Sequence, residues 1–270
     1  MVKNVYYSKI SRIYDQTRWL TEPIAEEVAD FILDLVKATP ETTFLEPGIG
    51  TGLNVLPLVR RGYSVTGIDV SAEMLNQLRQ KLPEIPSNLK LIHGDASQLP
   101  FSDASFDVVL TVHMLHAVSS LQTFLDEVDR VLKPNGFYLN AQWITPPARR
   151  EFEQHFRTIL SKYQEPRPAQ QPRRVTNEIN VEEYLRNKGY QCNYLVAKEW
   201  TVSNPVQELL DFYKSRAYGL CWLVSDEAFP LAINEFEAFC HDYYGSLEVE
   251  LSSLARFEIW AYSLSQSHGV

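Results

Sequence analysis

The stretch Thr42–Gly52 reads T-T-F-L-E-P-G-I-G-T-G, and it decides the fold of this chain. A short apolar run ends in Glu46, and glycines follow at alternate positions, Gly48, Gly50 and Gly52. Such a run is typical of a buried strand that turns sharply into a helix. Glycine is needed where the backbone takes a positive φ or where a ligand leaves no room for a Cβ atom. The stretch therefore predicts the first strand–helix turn of an α/β sheet, where nucleotide-like ligands bind.

The spacing of the glycines separates two classes of ligand. The dinucleotide fingerprint G-x-G-x-x-G needs glycine or alanine at position 53, where this chain has Leu53. A carboxylate at Glu46 would repel a pyrophosphate, but it suits a ligand that carries an amine. The pattern E-x-G-x-G-x-G instead resembles the first motif of class I S-adenosylmethionine (SAM) dependent methyltransferases. The resemblance implies a Rossmann-like fold and SAM as cofactor, bound by Glu46, Gly48, Gly50 and Gly52.

Residues 42 to about 142 alternate strand-like and helix-like stretches, as successive βαβ units do. The predicted strands are Thr43–Glu46, Ser64–Asp69, Leu89–His93, Phe106–Val112 and Gly136–Gln142, and the predicted helices are Thr51–Arg60, Ala72–Lys81 and Ser119–Leu132. Pro57 is awkward in the first helix because proline lacks an N–H and kinks a helix interior. With two later strands, the pattern predicts a doubly wound α/β fold around a mostly parallel, seven-stranded sheet.

Beyond residue 142 the alternation stops. The predicted elements are helices at Arg149–Tyr163, Val181–Lys188, Pro205–Tyr218 and Asp226–Tyr244, strands at Tyr190–Val202 and Glu248–Ser265, and a proline-rich loop at Glu165–Arg174. We expect the late helices to cap the carboxyl ends of the strands, with a helical segment Met1–Lys37 covering the same cleft. The expected division is residues 1–145 for the N-terminal helices and cofactor core, 146–250 for the cap with one core strand (about 190–202), and 251–270 for the closing strand.

Further stretches match the methyltransferase pattern in order along the chain. Asp69 ends the second predicted strand, where a carboxylate accepts hydrogen bonds from both ribose hydroxyls, a feature shared with NAD-binding sheets. By resemblance, Asp95 would bind the adenine amino group. Met74 would flank the ring, although ordinary helix core explains it equally well. The linker L-P-F-S-D-A-S-F-D and the turn E-V-D-R-V-L-K-P-N-G are structural markers of the small-molecule branch. The cofactor residues implied beyond the glycine loop are Asp69, Val70, Met74, Asp95, Ala96 and Thr111.

The N-terminal stretch S-R-I-Y-D-Q-T-R contains Tyr14 and Arg18. In many relatives a helix at this place brings a tyrosine and an arginine to the methionine end of SAM. The planar guanidinium suits the carboxylate found there. An amphipathic surface helix with an exposed arginine accounts for the same pattern.

The fourth predicted strand ends in T-V-H-M-L-H-A-V, which makes His113 and His116 the candidates for catalysis. In this fold the residues just past that strand face the transferable methyl group, and histidine can accept a proton from an attacking nucleophile. We slightly prefer His113, although a packing histidine at the strand end is an equal alternative for each. No third ligand stands at zinc-like spacing, so no metal site is predicted.

Tyr213, Arg216, Tyr218 and Trp222 cluster at the end of a cap helix and are candidates for lining the substrate pocket. The arginine would suit an anionic handle, and the aromatic rings could face a ring or the sulfonium. For any single one of the aromatics, packing of the cap is the more ordinary role. The N/D-P-P-Y motif of methyltransferases that act on bases or glutamine is missing, which favours a small-molecule acceptor.

The composition of the chain limits the classes of partner that it is expected to bind. The chain of 270 residues has a net charge of −9, and no run of Lys or Arg exceeds two residues, which argues against nucleic acid or an anionic membrane as partner. Cys192, Cys221 and Cys240 predict reduced thiols in a cytoplasmic protein. Neither a signal peptide nor a membrane span is predicted. We expect a monomer or a homodimer.

The leading prediction is a SAM-dependent methyltransferase that acts on a small cytoplasmic metabolite by SN2 transfer from the sulfonium. One alternative is a relative in which SAM is modified or assists a rearrangement or cyclisation. Another is a non-catalytic SAM-binding partner protein. An NAD-dependent dehydrogenase is disfavoured by Leu53.

Overall fold

The computed structural model describes residues 7–164 and 179–264, and its strands form one seven-stranded sheet. The strands are β1 (Thr43–Pro47), β2 (Ser64–Asp69), β3 (Leu89–His93), β4 (Phe106–Val112), β5 (Leu132–Ile144), β6 (Tyr190–Pro205) and β7 (Glu250–Leu264). Their order is β3-β2-β1-β4-β5-β7-β6. Only the β5–β7 and β6–β7 pairs are antiparallel. The predicted doubly wound, mostly parallel sheet is confirmed, whereas the predicted loop Glu165–Arg174 lies outside the described residues.

Helices join and flank these strands. They are α1 (Glu22–Leu35), α2 (Leu56–Arg60), α3 (Ala72–Gln80), α4 (Leu121–Val131), α5 (Pro147–Leu160), α6 (Val181–Asn187), α7 (Val206–Lys214) and α8 (Ala228–Tyr244). Short 3-10 turns lie at Asp15–Thr17, Leu115–Ala117, Ser161–Tyr163 and Gly219–Trp222. The predicted N-terminal helix over Met1–Lys37 is therefore broken: residues 7–10 are helical, a 3-10 turn follows, and α1 begins only at Glu22.

The inner strand β1 is buried from Phe44 onward because both faces of the sheet are covered. Successive strand residues point to opposite faces. Phe44 packs with Ile32 of α1 in one core cluster, and Leu45 packs with Phe124 of α4 in the other. A buried parallel strand of this kind reads as a continuous apolar run.

The prediction of a helix over Thr51–Arg60 was wrong in its first half. Residues 51–55 form turns, and α2 begins at Leu56 with Pro57 in its first turn. At that position the missing N–H of proline would have had no partner in the helix, so the proline favours the start of the helix rather than kinking its interior. Residues 51–55, which are not helical, therefore extend the glycine loop up to the start of α2.

The cap is a third apolar cluster built from α5, α7, α8 and the turn Gly219–Trp222. Its chain segments leave the sheet where β5 and β6 end and return where the antiparallel β7 begins, so the cap lies at the carboxyl ends of the parallel strands. Helix α6 differs from its predicted place in the cap region, because Leu185 packs into the core cluster of α4. Lys188, just after it, pairs with Asp126 and Asp129 of α4.

Candidate active site

The glycine loop joins β1 to α2 in a conformation that other residues rarely adopt. Gly48, Gly50 and Gly52 have φ of +74°, +55° and +74°. A Cβ atom on Gly48 would lie 2.7 Å from Cγ of Met114, and one on Gly52 would lie 2.8 Å from Cδ1 of Leu78. The loop therefore requires glycine for both backbone angle and space.

Asp69 holds the loop against the end of β2. One carboxylate oxygen accepts the backbone N–H of Gly50 at 2.8 Å, and the other accepts that of Ser71 at 2.8 Å. Burial raises the pKa of this carboxyl, and the bonds from these two N–H groups act in the opposite direction. Because each carboxylate oxygen can accept more than one hydrogen bond, Asp69 retains capacity for ligand hydroxyls.

Glu46 begins a hydrogen-bonded chain that the sequence did not reveal. Its Oε1 accepts from the Asn54 amide at 3.1 Å, and the Asn54 oxygen accepts from the Trp143 indole N–H at 3.1 Å. Since the indole can only donate, it fixes the orientation of the Asn54 amide. The other oxygen, Oε2, is enclosed and has no partner among the described residues. Burial raises the pKa of Glu46 well above its usual range.

His113 is fixed against the backbone of β5. It has a φ of +52°, and its Nε2 lies 2.9 Å from the backbone nitrogen of Trp143 and 3.0 Å from the carbonyl oxygen of the same residue. The two rings meet edge to face at 4.5 Å. Burial, and then the positive charges of Arg18 and His116, lower the pKa of His113 to about 4. The imidazole is therefore neutral at physiological pH, and its ring is held in place.

His116 is exposed, in the 3-10 turn after β4. Its Nε2 lies 3.3 Å from the hydroxyl of Tyr7, which belongs to the N-terminal segment. The two predicted histidines thus occupy different surroundings, one against the sheet and one at the surface.

The side chains expected around adenine lie near one another at the ends of β2 and β3. Val70 is 45% exposed although it is apolar. Met74 is buried, and its Cε would lie 3.3 Å from a Cβ on Gly50, so it packs beneath the loop. Asp95 is exposed and accepts two hydrogen bonds from Ser97, and Ala96 is half-buried.

Thr111 lies apart from this group. Its side chain is fully enclosed between strands, and its hydroxyl lies 3.1 Å from that of Tyr138 and 3.4 Å from the Asn140 oxygen. The side chain is therefore committed to packing β4 against β5. A cofactor contact through the Thr111 side chain, as the resemblance implied, does not fit this placement.

The N-terminal segment is bonded to the glycine loop. Asp15 accepts the Thr51 hydroxyl at 2.6 Å and pairs with Lys81, whose ammonium also donates to the Thr51 carbonyl oxygen at 2.7 Å. The Arg18 guanidinium lies 4.0 Å from the centre of the Tyr14 ring. These contacts hold the N-terminal segment, which carries Tyr14 and Arg18, against the glycine loop.

Tyr218 is the predicted substrate residue that faces this segment. Its hydroxyl lies 3.5 Å from the carbonyl oxygen of Thr17, and its ring centre lies 6.0 Å from the Arg18 guanidinium. Buried Arg149 of α5 donates to the same carbonyl oxygen at 3.2 Å. Tyr218 thus lies where the cap meets the N-terminal segment.

The other three predicted substrate residues serve mainly the cap itself. Tyr213 is buried among aromatic rings, with Phe156 at 4.9 Å between centres. Arg216 pairs with Asp226, and its guanidinium lies 5.1 Å from the centre of the Trp222 ring. The Trp222 indole N–H donates to the Arg216 carbonyl oxygen at 3.1 Å. These contacts show that the side chains of Tyr213 and Arg216 are engaged in packing the cap and are not directed at a substrate.

Several residues at the site escaped sequence reasoning. These are Asp15, Trp19, Asn54, Lys81, Trp143 and Arg149. Only Asp15 carried a usable signal, because it stands inside the Y-D-Q-T-R stretch. The others act through partners far away in the sequence, which no local spacing encodes.

Comparisons with known proteins agree with the fold and the loop. A family model described as a methyltransferase domain matches residues 45–140. The demethylmenaquinone methyltransferase of Tropheryma whipplei (strain Twist) is 31% identical over 189 residues, which are 66% of this chain and 72% of that protein. This coverage decides the family. The chain belongs to the class I SAM-dependent methyltransferases. It is therefore an enzyme of a family that uses SAM as methyl donor.

Two solved structures show how widely the fold is shared. The cyclase SpnF superposes with a TM-score of 0.53 at 17% identity, covering 90% of this chain and 82% of its own. The YcgJ protein of Bacillus subtilis superposes with a TM-score of 0.52 at 17% identity, covering 89% of this chain and 99% of its own. At this identity the likeness concerns the fold alone.

Two features are absent from the described residues, a membrane-spanning helix and a cluster of metal ligands. No helix in residues 7–164 or 179–264 has the length and apolar character needed to cross a bilayer. Within the same residues, no three His, Cys, Asp or Glu side chains are grouped as metal ligands would be.

Proposed function

We propose that this methyltransferase binds SAM across the glycine loop and transfers its methyl group to a small-molecule acceptor. The observation that carries the proposal is the enclosed oxygen of Glu46, which has no partner among the described residues and lies at the base of the loop. A buried carboxylate is costly unless it is paired. The α-ammonium group of SAM is a cation of suitable size, whereas a pyrophosphate would be repelled.

The other end of the cofactor suits the polar and apolar groups that follow. Asp69 has acceptor capacity for ribose hydroxyls next to the loop it holds. Exposed Val70 offers an apolar surface to adenine, and exposed Asp95 offers an acceptor to its amino group. Arg18, stacked on Tyr14, would face the methionine carboxylate. These assignments remain predictions for each residue.

When bound, SAM would supply an electrophilic methyl group: a nucleophile would attack the methyl carbon in line with the breaking C–S bond, which would release S-adenosylhomocysteine. The chain contributes orientation and exclusion of water, the main requirements for such a displacement. The Asp15 contacts draw the N-terminal segment over the loop, and Trp143 with His113 forms a rigid wall at the ends of β4 and β5. A histidine whose pKa is about 4 is a weak base at neutral pH, so we assign His113 to positioning. His116, with Tyr7 beside it, is the candidate proton acceptor.

The free thiols of Cys192, Cys221 and Cys240 support the reducing cytoplasm as its compartment. The acceptor is proposed to be a small molecule, since the cap is built around an apolar, aromatic cluster rather than the basic surface that nucleic acid requires.

The test has two parts. Calorimetry should give micromolar binding of SAM and S-adenosylhomocysteine, and Glu46→Gln should weaken both. Incubation with methyl-labelled SAM and a panel of small acids, phenols, amines and thiols should then yield S-adenosylhomocysteine together with a labelled acceptor. Conversion of an acceptor without S-adenosylhomocysteine would favour a SAM-assisted rearrangement. Unchanged activity in the His113, His116 double variant would contradict the assigned roles of those residues.

A further inference from the structure

Arg149 is a buried arginine that lacks a carboxylate partner. It lies in α5 and is 7% exposed. Its Nε donates to the Asn204 oxygen at 2.8 Å, and its Nη1 donates to the Thr17 carbonyl oxygen at 3.2 Å. Within residues 7–164 and 179–264 it forms no ion pair, and its Nη2 donates no hydrogen bond. A buried charge with neutral partners alone is costly.

The other arginines show that this arrangement is unusual for the chain. With 34 acidic residues against 25 basic ones, carboxylates are plentiful. The arginines that pair with one are Arg60, Arg61, Arg130, Arg157, Arg186, Arg216 and Arg256. Arg149 is better buried than any of these, yet its contact towards a carboxylate is indirect: the Asn204 amide that it bonds donates in turn to Glu208.

Trp19 contributes a second donor at the same place. The Arg149 guanidinium carbon lies 5.2 Å from the centre of the Trp19 ring. The Trp19 indole N–H is enclosed and donates to no described residue. Guanidinium and indole N–H groups can donate but never accept. Neither can satisfy the other, so Nη2 of Arg149 and the indole N–H of Trp19 both lack an acceptor among the described residues.

These donors lie beside the reaction end of the cleft. The Trp19 ring meets the Trp143 ring edge to face at 5.8 Å, and Trp143 is the residue that holds His113. The charge of Arg18 acts on both His113 and Arg149, which places Arg18 within electrostatic range of each. The cap, through Arg149, and the N-terminal segment, through Trp19, therefore bring two unsatisfied donors to the wall on which the methyl acceptor would rest.

We infer that Arg149 and Trp19 receive a carboxylate of the methyl acceptor, so the substrate class is small organic acids. The inference rests on the proposed function. A carboxylate has two acceptor oxygens, one for Nη2–H and one for the indole N–H, and it supplies the counter-charge that Arg149 lacks. The aromatic rings of Trp19 and Tyr218 suit an apolar or aromatic body on the acid.

The first experiment measures binding of matched acids and amides to the full chain saturated with S-adenosylhomocysteine. The probes are benzoate and octanoate, each compared with its uncharged amide. We expect each acid to bind at least about tenfold more tightly than its amide, the equivalent of one charge-assisted hydrogen bond. Arg149→Gln should abolish that preference. The control Arg150→Gln removes the same charge from the next, exposed residue of α5 and should leave the preference intact.

A second variant keeps the inference testable if Arg149→Gln does not fold. Trp19→Phe retains an aromatic ring and removes the N–H, so acid affinity should fall about three- to tenfold, as loss of a single hydrogen bond predicts. Trp260→Phe, on the remote strand β7, is its control. S-adenosylhomocysteine affinity should be unchanged in all four variants.

Three results would overturn the inference. The first is that the native chain binds the acids and their amides with equal affinity. Failure of both acids to bind at millimolar concentration, while S-adenosylhomocysteine binds, is the second. The third is weaker S-adenosylhomocysteine binding in Arg149→Gln with acid affinity retained, which would assign Arg149 to the carboxylate of the cofactor. If S-adenosylhomocysteine failed to bind the native chain, the proposed function itself would fail instead.

Discussion

The glycine loop and the cap both lie at the carboxyl ends of the parallel strands, but different forces define them. The loop is held by backbone N–H groups bonded to Asp69 and by glycines with positive φ. The cap is held by aromatic rings around Phe236, with few polar contacts inside it. A polar loop demands particular residues at fixed positions, whereas an apolar cluster demands only volume and pattern. The loop is therefore suited to an invariant cofactor, and the cap to a variable substrate.

The comparison predicts that cap packing can be weakened without loss of cofactor binding. Phe236 is fully buried and contacts Phe152 and Phe156 at 4.9 Å between ring centres. Phe236→Ala should lower the free energy of unfolding by about 3–5 kcal/mol, the usual cost of such a cavity. S-adenosylhomocysteine affinity should change less than about threefold, since these sites do not touch.

Urea titration and calorimetry on the same samples test this separation. Tyr243→Ala, which removes a half-exposed ring from the same helix α8, should cost much less stability. A loss of cofactor affinity that parallels the loss of stability would mean that loop and cap form one energetic unit.

Asp69→Ala tests the loop side of the comparison. It removes the acceptor for two backbone N–H groups as well as the expected ribose contact, so S-adenosylhomocysteine affinity should fall at least about 100-fold. The affinity of Asp69→Asn should lie between those of the native chain and Asp69→Ala. Its amide oxygen can accept one of the two backbone N–H groups, but its NH₂ group would face the second N–H. Asp34→Ala, at an exposed site in α1, is the control for calorimetry. Binding within threefold of the native value in Asp69→Ala would refute the site.

The two regions also differ in how far the sequence could predict them. The loop, the mostly parallel seven-stranded sheet and the position of Asp69 at the end of β2 followed from local patterns, because glycine spacing and strand ends are local requirements. The cap helices were predicted, but not the direction of their side chains. Arg216 looked like an anion ligand in the sequence, yet it pairs with Asp226, while Arg149 carried no motif. Which arginine meets a carboxylate is decided by tertiary contacts from Thr17 and Asn204, distant in the chain.

The lowered pKa of His113 predicts that the stability of the chain depends on pH. Its pKa in the folded chain is about 4, below its ordinary value of 6.5, because burial disfavours the charged ring. The resulting stabilisation is fully present above pH 6.5 and is lost as the pH falls towards 4. His113→Asn retains an acceptor for the Trp143 N–H, tolerates a positive φ and does not titrate. As the pH falls from 6.5 to 4, the native chain should lose about 2 kcal/mol more of its free energy of unfolding than this variant loses.

Denaturant titrations at several pH values, with the exposed His241→Asn as control, measure the difference directly. A constant difference between the native chain and His113→Asn from pH 7 to pH 4 would contradict the buried, neutral histidine.

Glu46→Gln should separate stability from function within the loop. Burial raises the pKa of Glu46, so the folded state pays increasingly for the ionised carboxylate as pH rises above 4.5. The neutral amide should raise the free energy of unfolding by about 1–2 kcal/mol at pH 8 and by less at pH 5. SAM affinity should fall at the same time, because the counter-charge for its ammonium group is gone. A variant that bound SAM normally would leave the enclosed carboxylate unexplained.

The smallest effect is expected at Arg216, and it sharpens the contrast between the two arginines of the cap. Arg216→Met keeps an apolar side chain but loses the pair with the exposed Asp226 and the guanidinium contacts over Phe229 and Trp222, so the free energy of unfolding should fall by only about 1 kcal/mol. Benzoate affinity should be unchanged in the Arg216→Met variant, whereas it should fall in the Arg149→Gln variant. If Arg216→Met weakened benzoate binding and Arg149→Gln did not, the acid would be held at the helix end that the sequence alone suggested, and the buried guanidinium of Arg149 would serve only to join α5 to Thr17 and Asn204.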